Sequence, residues 1–178
     1  DEGLLDLRQR GETDFLITIH GRVLMSSSAN MSEIVLAELA CESLKNKKNA
    51  RVLVGGLGMG FTLKAAIDKL PADAAVVVAE LNPIIVNWCR GPIAHLTGGA
   101  MDDPRVTVVI DNVAAAIRDA TVKGGRNRFD AIILDLYEGP RAGDRGRGEY
   151  LYGDRALALS SSALKGGGVL AVWSEDPD

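Results

Sequence analysis

Asp135 closes the apolar run Ala131-Ile-Ile-Leu134 and is followed by Leu-Tyr-Glu-Gly-Pro140. A carboxylate so placed is costly to strip of water without a partner, which marks it as a catalytic or cation-binding group. Glu138, three residues on, adds a second carboxylate to the same pocket, and Tyr137 an aromatic wall. A second set of residues suits a nucleoside. Gly55-Gly-Leu-Gly-Met-Gly60 follows the apolar Val52-Leu-Val54 and leads into a helical pattern. Glycines there let the backbone approach a ligand and leave helix N-terminal amides free to donate. Alone, such a loop is equally a tight strand-to-helix turn. The spacing of Gly56, Gly58 and Gly60 is G-x-G-x-G, whereas the dinucleotide fingerprint is G-x-G-x-x-G with a pyrophosphate on the helix. That favours a nucleoside without a diphosphate. Glu80 ends the next apolar run, Val76 to Ala79, where an acidic side chain can accept hydrogen bonds from both ribose hydroxyls. Asp111-Asn112 closes Val106 to Ile110. That pair caps the following helix, binds the exocyclic amine of an adenine, or does both. With Leu57 and Leu81 beside them, the expected ligand-binding set is Gly55, Gly56, Leu57, Gly58, Gly60, Glu80, Leu81, Asp111, Asn112 and Asp135.

These residues need a scaffold that brings strand ends together. Val52 to Val54, Val76 to Ala79, Val106 to Ile110, Ala131 to Leu134 and Val169 to Trp173 read as strands covered on both faces. Helical patterns alternate with them at Phe61 to Leu70, Pro83 to about Arg90, Val113 to Ala120 and Arg155 to Leu164. Alternation of this kind implies an α/β fold, a Rossmann-like, doubly wound, mostly parallel sheet, whose ligands bind outside the carboxyl ends of the strands. Ahead of it, Phe15 to Ile19 and Val23 to Met25 flank the turn His20-Gly21-Arg22 as a hairpin, with Leu4 to Leu7 available as a third strand. The expected division is a β-hairpin element over 1–29 and a nucleoside-binding domain over 30–178, short of its last strands. A helix of about a dozen residues after Asn30 reads as a packing helix, with Ile34, Val35, Leu39 and Leu44 on one face. Lys45-Asn-Lys-Lys-Asn49 reads as a solvated connector at its end.

Composition narrows the function classes. The chain has 178 residues, 47% of them hydrophobic, and a formal net charge of −4. That mild acidity argues against a nucleic-acid partner and is compatible with small cations. Cys41 and Cys89 are far apart, with no Cys-x-x-Cys spacing and no histidine cluster, so neither a disulfide framework nor a metal site is expected. No apolar run reaches the ~18 residues that would span a bilayer, and no targeting pattern stands at the N-terminus. A cytoplasmic, reducing setting with no membrane partner is the expectation.

In GGLGMG, AELNP, VIDN and ILDLYEGP, the sequence resembles the spermidine synthase family of aminopropyltransferases, within the wider fold class of S-adenosylmethionine-dependent methyltransferases. The resemblance runs from about Gly21 to Ser174. It implies Gly56 and Gly58 beside a thioether nucleoside, Glu80 on the ribose, Asp111 near the adenine, and Asp135 as catalytic acid/base. It also implies Glu138 on the amine substrate. The implied donor is S-adenosylmethionine or its decarboxylated form, the acceptor a small amine, and no metal takes part. The chain departs from the pattern in two places. Met31-Ser-Glu33 stands where putrescine-using members have a Tyr-His-Glu type motif, so only the Glu is kept, and the family's glycine loop carries an Asp where this chain has Leu57 or Met59. The arginine-bearing loop Arg141 to Glu149 falls where the family has a lid. Aminopropyl transfer is therefore the leading expectation. Methyl transfer to a small molecule, or a binding protein on the same fold, are the alternatives. A homodimer is compatible with the strand edge that the hairpin exposes.

Overall fold

A computed structural model of the chain describes residues 5–122, 127–136 and 152–174. Three strands open it: β1 (Leu5–Arg10), β2 (Asp14–Ile19) and β3 (Arg22–Ser26), an antiparallel sheet in the order β1-β2-β3. The β2–β3 turn is the dipeptide His20-Gly21, with φ of 47° and 77°. Positive φ at both central residues belongs to the hairpin turn whose twist matches that of paired strands.

Helix α1 (Met31–Cys41) leads through a 3-10 turn to β4 (Arg51–Gly55), α2 (Phe61–Lys69), β5 (Ala75–Glu80), α3 (Pro83–Arg90), β6 (Val106–Ile110), α4 (Val113–Val122), β7 (Phe129–Leu134), α5 (Asp154–Ala163) and β8 (Leu164–Val172). The five later strands are parallel, in the order β6-β5-β4-β7-β8. The chain winds outward from β4 to β6, then returns to the other side of β4 with β7. That reversal places the switch point, where ligands of such sheets bind, between β4 and β7.

Helices cover both faces, and the strand period of two decides which residue meets which layer. Val52, Val54, Val76, Val78, Ala131 and Ile133 pack with α1, α2, α3 and the N-terminal sheet's Phe15 and Ile17. Leu53, Val77, Ala79, Ile132 and Leu134 pack with Val113, Ile117 and Ala120 of α4 and Ala163 of α5. Two expectations change. Only β4, β5 and β7 are thoroughly buried. The outer strand β6 leaves Val109 and Ile110 exposed, and β8, which also takes in Lys165-Gly-Gly-Gly168, is half-buried. The buried face of α1 runs through Glu33, Ala37, Ala40 and Cys41, while Val35 and Leu39 point outward. Small residues on the inner face let the helix axis approach its neighbours closely, which outweighs the larger apolar side chains.

Asp130, at the amino end of β7, is 1% exposed. Its carboxylate accepts from the Arg51 amide at 2.7 Å and meets the ammonium groups of Lys165 at 2.6 Å and Lys47 at 2.7 Å. The Lys45–Asn49 connector is therefore not merely solvated, since Lys47 ties it to the sheet.

Candidate active site

Short backbone bonds carry the ladder one residue beyond the strands. The Gly56 amide donates to Ala79 O (2.9 Å), Asp111 to Glu80 O (3.1 Å), Asp135 to Gly55 O (2.8 Å) and Trp173 to Leu134 O (2.9 Å). Glycine loop, Glu80, Asp111 and Asp135 thus form one row at the carboxyl edge of the sheet.

The loop is glycine by necessity at Gly56. Its φ is +88°, and a Cβ there would sit 2.1 Å from the Asp135 carbonyl oxygen. Nothing but hydrogen fits where β4 and β7 diverge. Gly60, with φ +87°, precedes α2 and turns the chain into the helix. Gly58 is clamped by sulfur: a Cβ would meet Met25 Sδ at 2.8 Å, and its carbonyl accepts from Cys89 Sγ at 3.3 Å. The neighbouring Met59 amide donates to Met25 Sδ at 3.2 Å, so β3 reaches over the loop.

Glu80 is held by two amides, Leu57 N on Oε2 (2.9 Å) and Asn82 N on Oε1 (2.8 Å). Each carboxylate oxygen can accept more than one hydrogen bond, so capacity for a diol remains. Leu81 and Ile110 are each 50% exposed, and Ile110 is the register partner of Glu80. They offer apolar surface at the same strand ends. Of the two roles weighed for Asp111-Asn112, the cap is present. Asn112 Oδ1 caps α4 by accepting from Ala114 N (2.9 Å), and Asp111 is exposed, its Oδ1 accepting from Asn112 N (2.7 Å).

Asp135 closes the row. Burial pushes its titration up to about 6, the Thr62 hydroxyl opposes that by donating to Oδ2, and the Glu33 carboxylate adds to the rise. Glu33 is itself 8% exposed, on the inner face of α1, and takes a hydrogen bond from Ser32 Oγ at 2.6 Å. Tyr152, just ahead of α5, is pushed to about 12 by burial and by the charge of Asp135. Thr62, Glu33 and Tyr152 therefore join Asp135. Only Glu33 had a signal in the sequence, through the segment Met31-Ser-Glu33. Thr62 hides in an ordinary helix start, and Tyr152 follows a break in the pattern. Tyr137, Glu138 and the loop Arg141 to Glu149 lie outside the described residues.

Cys41 and Cys89 are buried free thiols, and burial raises them to about 11 and 12. Among the described residues no group of three or more His, Cys, Asp or Glu could hold a metal ion, and no helix is long and apolar enough to cross a membrane.

Known proteins resemble this chain over most of its length. Residues 31–178 match the family model described as the spermine/spermidine synthase domain. A polyamine aminopropyltransferase of Mycobacterium tuberculosis is 34% identical over 126 residues, 71% of this chain and 23% of that protein. Polyamine aminopropyltransferase 1 of Hyperthermus butylicus is 34% identical over 124 residues, 68% of this chain and 40% of its own. The matched regions thus span less than half the length of these relatives. Spermidine synthase from Thermotoga maritima superposes on 97% of this chain and 54% of its own, with a TM-score of 0.75 and 23% identity. Human methyltransferase-like protein 13 in complex with SAH superposes on 81% of this chain and 62% of its own, with a TM-score of 0.54 and 20% identity.

Proposed function

The chain belongs to the spermine/spermidine synthase family, and on that premise we propose that it transfers an aminopropyl group from decarboxylated S-adenosylmethionine to a small amine. The observation that carries this reading is Asp135: a half-buried carboxylate beside the glycine loop, with Glu33 near enough to raise its titration. Two carboxylates at a nucleoside site suit a cationic acceptor and a cationic donor.

In the proposed complex the ribose hydroxyls bond Glu80, the adenine lies between Leu81 and Ile110 with its amine toward Asp111, and the nucleoside passes over Gly56 and Gly58. The sulfonium activates its own leaving group, so the protein's work is alignment and delivery of an unprotonated nitrogen. The nitrogen lone pair attacks the aminopropyl carbon bonded to sulfur. A C–N bond forms, the C–S bond breaks with its electron pair on sulfur, and neutral methylthioadenosine leaves. The proton lost from nitrogen passes to Asp135. A carboxylate titrating at about 6 is largely ionised near neutrality and is a better base than an ordinary one. Glu33 and Glu138 steady the acceptor's charge, with Tyr137 as a wall. No metal takes part in this reading. A cytoplasmic setting, where thiols stay reduced, fits the free Cys41 and Cys89, and pairing of two copies through the N-terminal sheet edge belongs to the same proposal.

Methyl transfer from S-adenosylmethionine is the second reading, favoured by one observation. The loop at Gly58 is met by the neutral thioether of Met25, which grips an aminopropyl ammonium poorly. Calorimetric titration with decarboxylated S-adenosylmethionine, S-adenosylmethionine, methylthioadenosine and a dinucleotide separates the readings, together with turnover of Asp135→Asn. Preference for the decarboxylated donor, with turnover abolished and nucleoside affinity kept in the variant, supports aminopropyl transfer. Wild-type turnover by Asp135→Asn sinks the role given to Asp135, and binding of the dinucleotide alone sinks the nucleoside site.

A further inference from the structure

Thr62 is 1% exposed, in the first turn of α2. A threonine there commonly turns its hydroxyl back to a carbonyl a turn earlier. The carbonyl four residues back, that of Gly58, already accepts from the Cys89 thiol, and the Thr62 hydroxyl donates across the switch point to Asp135 Oδ2. Its one proton is thus committed to the carboxylate. The contact joins residues 73 apart in sequence, from α2 on one side of the reversal to the end of β7 on the other. The same junction is locked on its backbone side by the Asp135 amide on Gly55 O.

We propose that Thr62 is a positioning residue for Asp135, orienting its carboxylate toward the acceptor amine and holding it in the proton-accepting form. This rests on the reading of Asp135 as proton acceptor.

Around Asp135, most of the forces favour protonation. Burial does so, and so does the Glu33 carboxylate from the inner face of α1. Tyr152, ahead of α5, is a neutral phenol, raised by burial and then by the charge of Asp135. Lys64, the nearby cation of α2, is paired with Asp68 on the outer side of that helix. The Thr62 hydroxyl opposes the rise. A hydrogen bond to the charged form favours that form, and a charge-assisted one is roughly twice as strong as a neutral one. Removing it raises the Asp135 midpoint and lets the carboxyl rotate.

The test uses the full chain with Thr62→Val, which keeps the shape and removes the donor, and Thr62→Ser, which restores the donor. Carboxyl-carbon NMR titration of Asp135, assigned by its loss in Asp135→Asn, reads the midpoint without requiring turnover. Methylthioadenosine calorimetry reports that each variant is folded. The expected result is an upward shift of about one pH unit in Thr62→Val, with Thr62→Ser close to wild type and nucleoside affinity within about twofold in both. The acid limb of the pH–rate profile moves with the midpoint, so turnover by Thr62→Val falls about tenfold more on the acid side than on the alkaline side. An unshifted midpoint in Thr62→Val, or a loss of rate equal at every pH, overturns the proposal. Turnover by Asp135→Asn, by contrast, overturns the reading of Asp135 and leaves the NMR midpoint to decide what Thr62 does to it.

Discussion

Asp130→Asn tests how the far end of the sheet is held. The native carboxylate has no exposed side-chain surface, while Lys47 and Lys165 are 45% and 36% exposed. Removing the charge therefore leaves two ammonium groups that water can still reach, and the loss falls below the 3–5 kcal/mol of breaking a fully buried pair. It exceeds the ~0.5 kcal/mol of a surface pair, because one partner is wholly desolvated. Asparagine still offers an oxygen to the Arg51 amide, but its NH2 then faces an ammonium. About 1 kcal/mol per ion pair, with a little for that mismatch, gives about 2–3 kcal/mol at neutral pH. For a chain of this size that lowers Tm by about 5–10 °C. The pH dependence has a definite sign. Burial pushes the Asp130 carboxyl up, but Lys165, Lys47 and the Arg51 amide together leave it below its ordinary value. Its stabilisation is then full above the unfolded carboxylate value of about 4, and is lost as pH falls through the lower folded value. Urea unfolding followed by circular dichroism at several pH values measures both. A wild-type to variant gap under about 0.5 kcal/mol at neutral pH refutes the estimate of the pair. So does a gap that persists unchanged well below the unfolded carboxylate value.

Gly56→Ala combines a left-handed φ with a Cβ 2.1 Å from the Asp135 carbonyl, so it abolishes nucleoside binding and lowers stability by about 3 kcal/mol or more, read by calorimetry and thermal unfolding. Asp135→Asn loses turnover yet gains stability at neutral pH. A carboxylate raised from 3.8 to about 6 by burial destabilises the fold progressively as pH rises through that window, by at most ~3 kcal/mol. The Tm of Asp135→Asn therefore exceeds that of wild type at pH ~7 and meets it below pH ~4, and a lower Tm at neutral pH counts against the burial argument. Met25→Ala frees the Met59 amide and the space over Gly58. It weakens methylthioadenosine about fivefold by loosening the loop, and unchanged affinity would show that β3 does not support the site. Cys41 and Cys89 resist a thiol reagent at pH ~8 until the chain unfolds, because buried thiols remain protonated.

The fold was legible because apolar runs and helical patterns alternate from Val52 onward, and the edge of the sheet could be named from what closes each run: Gly55, Glu80, Asp111 and Asp135. These are local signals, each carried by a single segment. What escaped was relational. Asp130 sits one residue inside an apolar run and looks like an exposed start of a strand until Lys47 and Lys165 arrive from distant segments. Thr62 is an unremarkable helix residue until β7 brings Asp135 to it. The α1 face was misjudged at Val35 and Leu39, which outrank alanines in hydropathy, whereas close packing favoured Ala37 and Ala40. The extent of β8 was missed because glycines at 166–168 suggest a turn, yet an outer strand tolerates them.

The return of the chain from β6 to β7 also sets an order of assembly. Strands β4, β5 and β6 are sequential neighbours, so the half of the row bearing the glycine loop, Glu80 and Asp111 closes through contacts of modest sequence separation. Asp135 must cross back over that half to pair with β4. Contacts of long separation are closed late, since their loops must be ordered first. During synthesis, a chain that has emerged only as far as α4 therefore holds the glycine loop, Glu80 and Asp111 and none of β7. Asp135 is added by the strand that pairs with the free side of β4, so the row at the carboxyl edge is finished only once the sheet extends on both sides of β4.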